Sequence, residues 1–283
     1  MQCAYAFLFR FFINFATLNE TKRLINRSNM KQKLFTKTFT LTPGECNGQQ
    51  EMSLPFLVGR IIKVASMHAD LWGVGYEKMI ASRTAWVLSR LSIEMKRFPA
   101  ITENYTLETW IEDYNTRFST RNMAILDSRG EVYGYARTIW LVLDLNARRN
   151  ANMEELNELR HLILDRPCPI EPPSRMRIEE GEKIDSFTVR YSDIDLNRHV
   201  NSARYVEYLL NQYPFEWYDN NRVTRFEIAY ANEARPGIDI DVFREIKEKN
   251  DHVLELRHGE KTLCRSRLIF APRTEPINIP FDL

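Results

Sequence analysis

One order of patterns occurs twice in this chain of 283 residues, and a duplicated plan constrains the fold more than any single stretch. In the first copy an extended run at 34–41 leads through a loop into a helical stretch from Ser53 to about Leu71. Strand-like runs follow at 85–96, 105–114, 117–127 and 132–145. The second copy repeats this with a strand at 184–191, a loop, a helix from about Val200 to Gln212, and strands at 222–230, 238–247, 253–258 and 261–270. Ser128-Arg129-Gly130 and His258-Gly259-Glu260 are hairpin turns at matching places. Ile93-Glu-Met-Lys-Arg-Phe-Pro99 likewise answers to Ile228-Ala-Tyr-Ala-Asn-Glu-Ala-Arg-Pro236.

The first helix carries Leu54, Leu57, Val58, Ile61, Ile62 and Ala65, a wide apolar face that cannot remain in water. Ser53 stands at its N-cap position and Gly73 just past its end. The antiparallel strands of each copy must cover such a helix, so the expected fold is α+β, two units in each of which a curved sheet wraps a helix. Between the copies a short helical pattern at 153–164 runs into Arg166-Pro-Cys-Pro-Ile-Glu-Pro-Pro173, whose four prolines prevent regular structure. The expected layout is an N-terminal extension at 1–29, a unit at 30–146, a linker with a short helix at 147–181, and a unit at 182–283. The run from Ala4 to Leu18 is apolar but broken by Arg10 and Asn14, and it lacks a basic n-region. A poorly ordered extension is expected there, with Met30 an alternative start.

Hydrophobic residues make up 44% of the chain and aromatic ones 12%, ample for a real core. The formal charge of +1 supplies no global field toward nucleic acid or an anionic membrane, so an acidic partner must meet a local patch. Cys3, Cys46, Cys168 and Cys264 are scattered, without disulfide or zinc spacing, which points to a reducing, cytoplasmic setting. The five histidines form no metal motif, and neither a Gly-rich phosphate loop nor a G-x-S-x-G elbow occurs. No metal and no cofactor is expected.

The loop before the second helix reads Asp195-Leu-Asn197-Arg-His199, placing a carboxylate, a carboxamide and an imidazole at alternate positions. In an extended or turning segment these three can converge. A helix starting near Val200 adds free N–H groups and a positive dipole end, suited to a developing oxyanion. Taken alone, Asp and Asn before a helix are ordinary caps and turn formers. The first copy reads Pro43-Gly-Glu-Cys-Asn-Gly-Gln-Gln-Glu51 at this place and lacks the set.

The longer run Tyr191-Ser-Asp-Ile-Asp-Leu-Asn-Arg-His-Val-Asn-Ser-Ala-Arg-Tyr205 resembles the active-site segment of the plant and bacterial acyl-acyl carrier protein thioesterases, which are tandem hotdog proteins. Ile228-Ala-Tyr-Ala-Asn-Glu233-Ala234 is similar to the segment holding that family's catalytic glutamate, and Ile93–Pro99 with Leu107–Ile111 to two strands of its first hotdog. The resemblance covers about Lys31 to Ala271. It implies hydrolysis of acyl-acyl carrier protein to a free fatty acid and the carrier's thiol, ending chain elongation, with Asp195, Asn197, His199 and Glu233 as the catalytic set. Glu233 and His199 would orient and deprotonate water, Asn197 would fix His199 or the water, and Asp195 would be either base or carboxylate nucleophile. Many plant members carry a cysteine after the glutamate; Ala234 rules out that nucleophile here.

The resemblance further implies that the first unit surrounds the acyl chain, with Leu57, Ile61, Met67, Trp72 and Trp110 as candidate pocket residues. His68 is read as packed or pocket-lining. The implied partner is the acidic acyl carrier protein, met by Arg148 and Arg149, Arg175 and Arg177, or, best placed beside the loop, Arg198 and Arg204. A homodimer is left open. The competing readings are an acyl-CoA thioesterase and a non-catalytic hotdog that binds acyl thioesters as a regulator.

Overall fold

The computed structural model describes residues 33–274 and 277. The extension at 1–29 and the alternative start at Met30 lie outside the described residues. The strands are β1 (Leu34–Thr40), β2 (Thr84–Met95), β3 (Asn104–Tyr114), β4 (Ser119–Asp127), β5 (Val132–Asp144), β6 (Arg149–Asn150), β7 (Glu182–Thr188), β8 (Asn221–Tyr230), β9 (Asp239–Glu248), β10 (Asp251–His258) and β11 (Lys261–Pro272). The helices are α1 (Leu54–Leu71), α2 (Tyr76–Ala81), α3 (Ser202–Leu210) and α4 (Phe215–Asn220).

Ten strands follow one another in the order β1-β3-β4-β5-β2-β8-β11-β10-β9-β7, with β6 paired to β5. Read inward from either edge, the two halves of this order are the same, so the duplicated plan is a duplicated sheet, as the α+β tandem hotdog expectation requires. The halves join antiparallel at β2 and β8, where Leu91 faces Ile228, Ser92 faces Glu227 and Ile93 faces Phe226. The register is symmetric about Ser92 and Glu227, and along this seam each β2 residue finds its equivalent in β8 135 positions on (226 minus 91, 228 minus 93).

Helix α1 buries Leu54, Leu57, Val58, Ile61, Val64, Ala65 and His68, one stripe at helical spacing. The shorter α3 buries Tyr205, Val206 and Leu209. The two helices pack on each other, and one hydrophobic core runs from Leu57 and Ile61 through Leu209 to Phe226 and Leu268. Ser53 occupies the N-cap of α1 in extended conformation, but its side chain makes no capping bond, and Pro55 instead suits the first turn. Gly73, at φ +70°, ends the helix in the left-handed region where a Cβ is costly.

The connecting segment crosses the seam between the units. After a 3-10 stretch at Met153–Leu162, the Arg166 carbonyl accepts from Trp110 Nε1 at 2.6 Å, and the Arg166 guanidinium lies 4.1 Å from the Trp110 ring. Glu227, buried in the seam, accepts from Arg225 Nε at 2.5 Å and from the Ser174 N–H at 2.7 Å. A buried carboxylate must be paired to be tolerated, so the linker and the seam fix one another.

Candidate active site

The run Ile194–Val200 closes on itself as a small antiparallel bridge. Asp195 N–H donates to the His199 carbonyl at 2.8 Å, and Arg198 N–H to the Asp195 carbonyl at 3.0 Å. Asp195 Oδ1 accepts from the N–H groups of Asn197 at 2.8 Å and His199 at 3.4 Å. Arg198 takes φ +63° at the tip. This turn brings the His199 ring to the end of the strand that follows in space. There His199 Nε2 lies 3.2 Å from Glu233 Oε2. The imidazole side chain is 17% exposed and the carboxylate 42%, so the pair stands at the mouth of the fold rather than in its core.

The backbone around Glu233 is held from beneath. Ala234, fully buried, donates its N–H to Tyr205 Oη at 3.1 Å and accepts from Val200 N–H at 3.0 Å. Burial pushes the Tyr205 phenol well above its usual range, so it remains a neutral support. The helix behind the loop begins two residues later than its sequence pattern indicates, at Ser202, with Asn201 as N-cap accepting from Ala203 N–H at 2.9 Å. Asn201 N–H goes to the Asp193 carbonyl at 2.9 Å. The N–H groups of Val200, Asn201 and Ala203 are therefore already bonded, and the expected oxyanion donors near Val200 are not free. The Asn197 carboxamide is exposed and makes no hydrogen bond among the described residues. Of the four candidate catalytic residues, the structure joins His199 and Glu233 directly, places Asn197 on the same loop, and ties Asp195 to the loop's own backbone.

The first unit contains the same loop without its chemistry. Asn47 Oδ1 accepts from Gln49 N–H at 3.0 Å and Glu51 N–H at 3.2 Å, Gln50 takes φ +61°, and Met52 N–H donates to the Pro99 carbonyl at 2.8 Å. Glu51 stands where His199 stands in the second loop, and Phe98 where Glu233 does. Glu51 is instead ion-paired with Arg273 at the end of β11, so this copy clasps the two units together.

A cavity in the first unit is lined by Ala65, Trp72, Trp86, Ile111, Trp140 and Leu159, with Ser119 and Arg121. Of the five pocket candidates only Trp72 lines it. Leu57 and Ile61 are fully buried core on α1, Trp110 is buried against the linker, and Met67 is half-buried away from the cavity. Sequence reasoning missed Arg121. Its Nη1 reaches His68 Nδ1 at 2.9 Å and Thr109 Oγ1 at 3.2 Å, and its guanidinium lies 5.0 Å from the Trp72 ring. Burial pulls its pKa down to about 9. No periodicity announces a cation in a strand buried on both faces, as β4 is. His68 is fully buried, 5.4 Å from Phe35 and 4.0 Å from Trp72 between ring centroids, as the packed reading expects.

Among the cations proposed for docking, Arg198 is exposed and forms no ion pair among the described residues, whereas Arg204 pairs with Glu207 one turn along α3. Arg148 belongs to the site itself: its Nη2 bonds Glu233 Oε2, the oxygen that faces His199. Among the described residues no helix is long and apolar enough to cross a membrane.

Comparison with known proteins agrees with this architecture. Sequence models described as the acyl-ACP thioesterase N-terminal and C-terminal domains match residues 32–161 and 177–266. The palmitoyl-acyl carrier protein thioesterase of Cuphea hookeriana is 23% identical over 215 residues, 71% of this chain and 52% of that protein, so the chain spans about half the length of the curated relatives it matches. The 12:0-ACP thioesterase from Umbellularia californica, 18% identical with a TM-score of 0.75 over 85% of this chain and 98% of that one, shares the fold. An acyl-ACP thioesterase structure from Bacteroides thetaiotaomicron is 34% identical, with a TM-score of 0.80 over 85% of this chain and 99% of that one. By both its sequence and its duplicated sheet, the chain belongs to the acyl-ACP thioesterase family.

Proposed function

We propose that the chain hydrolyses acyl-acyl carrier protein, releasing a free fatty acid and the carrier's thiol and so ending chain elongation. The observation that carries this reading is the His199 Nε2–Glu233 Oε2 pair at 3.2 Å, with an exposed, uncommitted Asn197 carboxamide on the same loop. With its Nε2–H directed to Glu233, a neutral His199 keeps its lone pair on Nδ1 and takes a proton from water there. The water oxygen attacks the thioester carbon, and the carbonyl oxygen gains the negative charge, which the Asn197 amide donates to. Collapse breaks the C–S bond, and the thiolate recovers the proton from the imidazolium. Asp195 holds the loop through Oδ1, which leaves its second oxygen for a part in the chemistry as base or carboxylate nucleophile.

We read 30–146 as the acyl-chain unit, 147–181 as the linker and 182–283 as the unit carrying the catalytic residues. The aromatic cavity beside Trp72 supports the first of these roles. The carrier protein is the partner, and the exposed Arg198 at the tip of the loop is the cation we assign to meet it. We read the setting as cytoplasmic from the scattered cysteines of the sequence, while the plant relatives are named chloroplastic. A homodimer would form outside the β2–β8 seam, and sedimentation reads it.

The test compares purified wild-type protein and His199→Ala on matched acyl-acyl carrier protein and acyl-CoA thioesters. Hydrolysis of the carrier-protein thioesters, with kcat lowered at least ~100-fold in the variant, is the expected result. Preference for acyl-CoA would make it an acyl-CoA thioesterase. Tight binding without turnover would make it a regulator.

A further inference from the structure

We propose that Arg148, in the turn where the chain leaves β5 of the first unit and enters the linker, is a positioning residue for the Glu233–His199 pair, so that the site is completed from outside the second unit. The inference rests on the reading of that pair as the hydrolytic centre.

The backbone of Arg148 is fixed before its side chain is considered. Strand β5 ends at Asp144, whose Oδ1 accepts the N–H groups of Asn146 and Ala147, each at 2.9 Å. Its carbonyl accepts Arg148 N–H at 2.9 Å, and the chain returns as β6 with Asp144 facing Arg149. Arg148 closes this turn at φ +52°, in the left-handed region that a residue with a Cβ enters at a cost. Glycine or asparagine would meet that backbone demand more easily. What arginine alone adds is a guanidinium at the end of a long arm, and that group lies on Glu233 Oε2.

One carboxylate oxygen is thus shared between a permanent cation and the His199 ring. Glu233 stands half in solvent on a rotatable side chain, and the underlying bonds of Ala234 fix only its backbone. A free glutamate samples several rotamers, and only some direct Oε2 at Nε2. The Arg148 bond selects among them, which matters because small displacements of a reacting group cost rate steeply. Two bland roles compete with this one. Arg148 could be a clasp between the units, like Arg273 on Glu51, or a docking cation.

The three roles separate in one experiment. Arg148→Ala, Arg148→Lys and Arg129→Ala are measured on a small acyl thioester and on an acyl-acyl carrier protein, with Tm alongside. Positioning lowers kcat of Arg148→Ala on both substrates roughly 10-fold to 100-fold at unchanged KM. Lysine restores part of it, Tm holds, and millimolar guanidinium ion restores kcat of Arg148→Ala. Arg129→Ala, on the distant hairpin turn, behaves as wild type. Unchanged kcat, a kcat loss that tracks a fall in Tm, or a rise in KM confined to the carrier-protein substrate each overturns the proposal. If wild-type protein cleaves no thioester, the functional reading fails by itself, and the NMR resonances of the His199 ring nitrogens still decide. A shift in Arg148→Ala that guanidinium reverses supports positioning, and an unmoved His199 overturns it.

Discussion

Asn47 and Asp195 hold the same place in two copies of one loop, 148 residues apart (195 minus 47), and do the same structural work. Each directs Oδ1 at the N–H groups two and four residues on, at 3.0 and 3.2 Å for Asn47 and at 2.8 and 3.4 Å for Asp195. An amide oxygen suffices for that turn in the first unit. The molecule therefore carries an internal control for what the Asp195 charge contributes.

From that control, Asp195→Asn is expected to keep the turn and leave Tm unchanged, since only an acceptor is needed at Oδ1. Any fall in kcat then reads the carboxylate's part in the chemistry, and we expect a loss of about 100-fold, the scale of a lost acid or base group. Wild-type turnover at unchanged Tm would assign Asp195 to the scaffold alone. Asn47→Asp, the reciprocal change, should leave kcat untouched.

Trp72 is the one sequence-derived pocket candidate that lines the cavity of the first unit. Trp72→Ala removes a wall, and an acyl chain bound there gains room for added methylenes. Each buried methylene is worth about 0.8 kcal/mol, or about fourfold in kcat/KM. A panel of saturated thioesters of increasing length should therefore peak at longer chains in the variant. An unmoved peak would place the chain elsewhere.

Glu255, fully buried on β10, accepts from Arg257 Nη2 at 2.9 Å, Arg265 Nη2 at 3.1 Å and the Thr262 hydroxyl. Burial pushes its carboxyl up, but these hydrogen bonds outweigh it and hold the group below its ordinary 4.5. A depressed carboxyl stabilises the fold at pH above its unfolded value, and this is lost as pH falls through the folded one. Tm of Glu255→Gln should lie below wild type at pH 7, with the gap closing below pH 4.5. A gap that persists unchanged to pH ~3 would refute that linkage.

The duplicated plan was legible because local patterning dictates it. Leu57, Ile61 and Ala65 mark α1 by period, and the alternation in β5 and β11 marks strands whose observed ends fall within two residues of their patterns. Short α2 and α4 carry too few turns to announce themselves, and Val200 reads as helix although its N–H belongs to Ala234. Relationships between distant residues stayed hidden for a different reason. Ser92 facing Glu227, Arg148 on Glu233 and Arg121 on His68 are set by how the sheets join and the helix lies, and no spacing along the chain encodes them.

Arg198 and Arg204 looked equivalent in sequence, and the structure separates them. Arg204 is ion-paired with Glu207 at i+3, so reversing it exchanges one surface pair for a repulsion, whereas Arg198 stands exposed at the tip of the His199 loop without an ion pair among the described residues. On the proposed function, an acidic carrier protein bringing its thioester to His199 would meet that tip. Charge attraction of this kind speeds encounter and fades as salt screens it. Arg198→Glu should raise KM for an acyl-acyl carrier protein roughly 10-fold at low salt, within the range of electrostatic steering. Arg204→Glu should raise it less, and both should leave a small acyl thioester almost unaffected. The Arg198→Glu penalty should shrink in ~1 M salt, where the screening length falls to about 3 Å. An equal effect on the small thioester would mean that Arg198 acts by disturbing the His199 loop rather than by meeting the carrier.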